Sequence, residues 1–205
     1  MPVMKQALMQ EIAAAAARLV VEEGLDYGAA KRRAVKELGA PARAPLPGND
    51  AVQEQVRDYL ALFRADTQPA ELLALRELAL TWMQRLAEFR PHLTGAVWNG
   101  TATRLSDVHL QLFCDDPKSA EIALINQGVA FEARQVRGFR GERVDALSFS
   151  TFCPGLGEHV GVHLMIHDHA DVRGALKPAA DGRPVRGDER ALRTLMEQEA
   201  ASAAN

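Results

Sequence analysis

Cysteine is almost missing from this chain: Cys114 and Cys153 are the only two in 205 residues. They stand in no metal-ligand spacing, so the sequence offers no disulfide framework, and a reducing cytoplasmic setting is expected. Long apolar runs are missing too, which excludes a membrane-spanning helix and leaves a membrane off the list of expected partners. The first residues, MPVMKQALMQEIAAAAARLVVEEG, superficially resemble a secretion signal, but Glu11, Arg18 and Glu22 interrupt them and the run continues as an amphipathic helix. Neither sign of charge dominates. With 24 basic and 27 acidic side chains the formal net charge is -3, which excludes a strongly basic nucleic-acid-coating protein and a long acidic tail. No Gly-Lys pair occurs, so a P-loop is excluded, and neither a Gly-x-Ser-x-Gly elbow nor a Rossmann fingerprint is present. Histidine is absent from the first 91 residues, then appears six times, four of them between His159 and His169. Polar chemistry is therefore expected after residue 90.

What is present is globular composition, 47% hydrophobic and 25% charged, enough for one domain with a helical appendage. The spacing predicts helices over 5–23, closed by Gly24, and over 27–38, capped by Asp26 and closed by Gly39. The proline-rich stretch 40–50 reads as a linker, with Asp50 capping a third helix to about Arg64. A fourth helix runs from Pro69 to about Phe89, with Leu72, Leu75, Leu78, Ala79, Trp82 and Leu86 at helical spacing, and Arg90-Pro91 stops it. Residues 1–92 hold twelve basic and twelve acidic side chains. This half is neutral, helical and poor in catalytic residue types.

After His92 the period changes. Leu93–Trp98 is a short apolar run, and 107–114 alternates, with Val108, Leu110 and Leu112 on one face and Asp107, His109 and Gln111 on the other. Asp116-Pro117 opens a helix that Gly128 closes. Strand-like runs follow at 129–136, 144–152 and 160–167. The last sets Val162, Leu164 and Ile166 against His163, Met165 and His167. A turn at Asp181-Gly182 and a final helix from about Asp188 complete the chain. The fold class is α+β: an N-terminal helical region, then a mixed sheet with covering helices.

The segment LTGAVWNGTATRLSDVHLQLF, 93–113, follows a long helix and resembles the core of the nucleotidyltransferase superfamily, the polymerase-β-like fold. Gly100-Thr101 fills the place of that family's Gly-Ser turn, Ala102 and Arg104 resemble the residues after it, and Ser106-Asp107-Val108 opens the second strand. The resemblance covers about residues 70–170 and divides the chain into a helical region, 1–68, and a nucleotidyltransferase-like domain, 69–205. It implies a bound nucleoside triphosphate, with Gly100, Thr101, Arg104 and Ser106 at the phosphates. It also implies a divalent metal on carboxylates spaced i, i+2. The second carboxylate position is His109. The third falls on the strand at 160–167, whose outward residues are His163 and His167. Asp107, His109 and His163 are thus the expected catalytic and metal-binding residues. Imidazole turns the metal expectation from Mg²⁺ towards Zn²⁺ or Mn²⁺. The expected partners are a nucleotide and an RNA or protein acceptor.

Three readings of this face stand side by side: an altered active site, a nucleotide pocket without catalysis, and plain surface polarity. A reading from another class makes the chain a binding or regulatory module that docks a protein or nucleic acid through its helical half. The cluster at 158–169 has strand spacing too wide for adjacent metal ligands from one strand, so an ion there needs Asp107 or His109 from a neighbour. Lys31, Arg32, Arg33 and Lys36 form a basic patch with no interleaved aromatics, neutralised by Glu22, Glu23 and Glu37, and read as a solvated helix face. Arg134, Arg137, Arg140 and Arg143 flank an expected hairpin at 138–141, where they suit phosphate or RNA contacts, or plain charged flanks.

Overall fold

The computed structural model describes residues 2–41, 43–172 and 182–203, in two compact units. One comprises Met1–Pro69 with Thr101–Leu105, the other Ala70–Gly100 with Ser106–Asn205. The expected turn at Asp181-Gly182 falls partly outside the described residues.

The first unit is helical. Helix α1 (Pro2–Glu23) packs on α2 (Tyr27–Glu37) and α3 (Asn49–Phe63). Its buried Ile12, Ala13, Ala16, Ala17 and Leu19 meet Ala30 and Ala34 of α2 and Val52, Val56 and Leu60 of α3. The alanines keep the helix surfaces low, and spacings of three and four residues align them into stripes. Gly24 ends α1 at φ +69°, a conformation most side chains resist. Asp26 caps α2 by accepting the Ala29 N–H at 2.8 Å. Helix α3 starts one residue before the expected cap: Gly48 stands at the cap position and Asp50 lies in the first turn, where its charge suits the helix N-terminus. The short 101–105 segment joins this unit, and Gln68 Nε2 donates to the Ala102 carbonyl at 2.9 Å.

The second unit is a six-stranded mixed sheet with helices. Helix α4 (Gln68–Arg85) ends four residues earlier than the spacing suggests, and a 3₁₀ turn (Ala87–Phe89) carries the chain to Arg90. Arg90 closes that turn as a left-handed cap at φ +48°, its N–H donating to the Ala87 carbonyl. The apolar run at 93–98 splits into a three-residue strand β1 (His92–Thr94) and a short helix α5 (Gly95–Asn99). Then come β2 (Val108–Phe113), α6 (Pro117–Asn126), β3 (Glu132–Arg137), β4 (Arg143–Cys153), β5 (Glu158–His167), a 3₁₀ turn (His169–Asp171), β6 (Arg186–Gly187) and α7 (Glu189–Ala203). The strand order is β3-β4-β5-β2-β1-β6, with β2 and β5 parallel and the other pairs antiparallel.

One face of this sheet is the core. Val108, Leu110, Leu112, Val162, Leu164, Leu147 and Phe149 are buried, and Phe149 meets Trp82 of α4 with ring centroids 4.5 Å apart. Arg76 of α4 is only 2% exposed. Its guanidinium donates to the Val97 carbonyl at 3.1 Å and the Trp98 carbonyl, at the C-terminal end of α5, and pairs with Glu199. A buried cation beside the last carbonyls of a helix is favoured by the helix dipole. The opposite face carries the polar residues.

Candidate functional site

Residues paired directly across neighbouring strands share a face, so the register decides which polar side chains meet. In the parallel β2–β5 pair His109 stands opposite His163, and in the antiparallel β4–β5 pair Ser148 stands opposite His163. Asp107, one residue before β2, lies on the same face.

These groups form a relay. His163 Nε2 lies 2.9 Å from Asp107 Oδ2, and His163 Nδ1 lies 2.8 Å from Ser148 Oγ. A neutral ring that satisfies both contacts carries its proton on Nε2, donates to Asp107 and accepts from the Ser148 hydroxyl. The second Asp107 oxygen accepts the Gly161 N–H at 3.1 Å. Gly161 is needed for space: a Cβ there would lie 2.6 Å from Asp107 Oδ1. The hydrogen bond from His163 is the main influence holding the Asp107 carboxyl below the usual carboxylate range, partial burial pulling the other way. His109 stacks on His163 with centroids 4.8 Å apart and planes 21° from parallel. Imidazole lone pairs lie in the ring plane, so two rings stacked in this way do not aim nitrogens at one ion. His109 remains an exposed residue, yet the desolvation of its ring by neighbouring atoms, with the charge of His163 next in order, pushes its pKa below the ordinary histidine range, against the pull of Asp107. Beside this relay lies a groove of about 450 Å³ with Phe131, Glu132, Ser148, Ser150 and His163 in its walls, a ligand-sized hollow. Arg134 of β3 pairs with Ala146, which puts it on the same face. Its charge also reaches His109.

The residues expected at the phosphates divide between the two units. Gly100 and Ser106 belong to the sheet unit, Gly100 as the left-handed C-cap of α5 at φ +78°, while Thr101 and Arg104 belong to the helical unit, Thr101 buried and Arg104 exposed. The glycine turn beside the relay is another one. Gly95, at φ +74° between β1 and α5, would place a Cβ 3.7 Å from the His109 ring.

Ser148 is a functional candidate of this relay that the sequence does not signal. The alternation Leu147-Ser148-Phe149-Ser150 sets two hydroxyls against two buried apolar side chains, but nothing in the sequence names the strand opposite. Two other histidines, His92 and His159, have local contacts. His92 Nδ1 lies 2.9 Å from the Arg90 carbonyl oxygen, and His159 meets Phe152 edge-on.

The polar face is not uniformly wet. At its far end His167 is 1% exposed and Gln111 3%. Phe113 and Phe139 lie against the His167 ring with centroids 5.6 Å and 4.7 Å away. Gln111 accepts from Arg186 of β6. Here Glu142, His167 and Asp171 each offer a ligand atom, all within 4.8 Å of one another, and this group could hold a metal ion. Among the described residues no helix is long and apolar enough to cross a membrane. Comparison with protein-family models, with curated proteins and with solved structures gave no match to this chain.

Proposed function

We propose that this chain is a nucleotidyltransferase-like protein that binds a nucleotide over the Asp107–His109–His163 face, with catalysis altered from a metal-held carboxylate pair to proton transfer through imidazole. The observation that carries the reading is the Ser148–His163–Asp107 relay, with contacts of 2.8 and 2.9 Å. Asp107 has both oxygens engaged, one by His163 and one by the Gly161 N–H. Held in this way, Asp107 can serve as the orienting carboxylate of a base. His163 so held can take the proton of the Ser148 hydroxyl on Nδ1, and through Ser148 that of an acceptor hydroxyl in the groove. Arg134 supplies positive charge for phosphate on the same face. The acceptor classes that suit this chemistry are hydroxyl-bearing RNA, protein or a small molecule.

Incubation with α-labelled nucleoside triphosphates and Mg²⁺, Mn²⁺ or Zn²⁺ should transfer label, or at the least nucleotide should raise the melting temperature. Asp107→Ala should abolish either effect. Gly161→Ala, which keeps every polar side chain but displaces the Asp107 carboxylate, should do the same. Absence of labelling with every metal, together with an unchanged melting temperature for every nucleotide, overturns the proposal and leaves a module that docks through its helices.

A further inference from the structure

The end of the polar face remote from the relay holds a second cluster, and its distances are unusual for groups that bond only to each other. His167 Nδ1 lies 3.7 Å from Glu142 Oε1, too long for a hydrogen bond. Both ring nitrogens of His167 and both carboxylate oxygens of Glu142 are buried without a hydrogen-bond partner. Leaving buried polar atoms unpaired is costly, and native structures rarely leave several together. Two ligands of one tetrahedral ion with bonds of about 2.1 Å lie about 3.4 Å apart, so the His167–Glu142 separation that fails as a hydrogen bond suits a shared ion. Asp171, whose oxygen Oδ1 is held by Arg140 at 2.6 Å, completes a set spread over no more than 4.8 Å.

The chain makes room for this arrangement. Gly138 and Glu142 close the β3–β4 hairpin, with the Gly138 N–H donating to the Glu142 carbonyl at 2.8 Å. A Cβ on Gly138 would fall 2.0 Å from Glu142 Oε1, so only glycine there lets the carboxylate turn inward over His167. The three ligands come from the hairpin, the end of β5 and the 3₁₀ turn after it.

We infer that Glu142, His167 and Asp171 form a binding site for one divalent first-row transition ion, of the Zn²⁺ or Mn²⁺ class, that pins the β3–β4 hairpin to the end of β5. One imidazole nitrogen with two carboxylate oxygens suits these ions better than Mg²⁺ or Ca²⁺, which take oxygen ligands almost throughout. The site lies apart from the relay and does not depend on the nucleotide reading.

The test uses the full, untagged chain, stripped with chelator and dialysed against Zn²⁺, Mn²⁺ or Mg²⁺, with bound metal counted per chain and melting temperature followed. One equivalent of Zn²⁺ or Mn²⁺ should bind and raise the melting temperature, while Mg²⁺ at the same concentration does neither. Glu142→Gln and Asp171→Asn keep the side-chain shapes, and each should weaken binding at least about tenfold, with circular dichroism unchanged. Asp107→Asn should bind as the parent does. The site is overturned if neither metal binds, as a proton shared between His167 and the two carboxylates would require. It is equally overturned if Mg²⁺ binds as well as Zn²⁺ and Mn²⁺, or if Asp107→Asn loses the ion while Glu142→Gln retains it.

Discussion

His109 and His163 face each other at 4.8 Å yet live in different circumstances. His163 has a hydrogen bond on each nitrogen, whereas His109 is an exposed ring partly desolvated beside another histidine and within reach of the Arg134 charge. A histidine whose pKa is depressed on folding binds fewer protons in the native state than in the unfolded one. Stability is therefore complete above the unfolded pKa of about 6.5 and declines as pH falls below it towards the folded value. Urea denaturation should give a falling unfolding free energy from pH 7.5 to 5, and His109→Gln should flatten part of that slope. A slope unchanged by the substitution would show that His109 does not titrate in this way. Asp107 acts in a lower window. Its depressed pKa contributes stability that is present above about pH 4 and lost as pH falls through the folded value. Replacing His163 with Phe removes the hydrogen bond, and the Asp107 carboxyl, followed by ¹³C NMR, should then titrate at higher pH.

At the scale of elements, much was legible because the cues are local. Asp116 caps α6 by accepting the Lys118 N–H at 2.9 Å and Pro117 follows in the first turn, as the dipeptide suggests. Asp116→Ala should cost about 1 kcal/mol in urea denaturation. The alternation at 107–114 and 160–167 likewise placed Asp107, His109, His163 and His167 on one side of their strands. The departures arise where a local cue competes with another. The apolar run at 93–98 is mostly helix because Gly95 turns the chain at φ +74° directly after Thr94. Pairing was not legible at all. That β5 lies between β4 and β2 is a product of long-range packing, and Ser148 meets His163 only through that order. The same holds for Glu142 and Asp171, which come from a hairpin turn and a 3₁₀ turn with no spacing of their own to signal a ligand.

Over the whole molecule, the sheet has two unlike edges. β6 is two residues long, whereas β3 is a six-residue outer strand, EARQVR, exposed at every position except a half-buried Val136. Among the described residues no strand pairs with its outer side, and an outer strand of that length would pair with another copy if its side chains allowed it. Replacing Glu132 and Arg137 together with valine should produce concentration-dependent association in sedimentation velocity, with the parent chain remaining at its original size. The arginines of this hairpin, which suit phosphate or RNA contacts, also guard the sheet edge. A strand so charged deters unwanted pairing in a crowded cell, and it lets the sheet keep a polar face open to ligands without inviting the aggregation that an exposed outer strand otherwise brings.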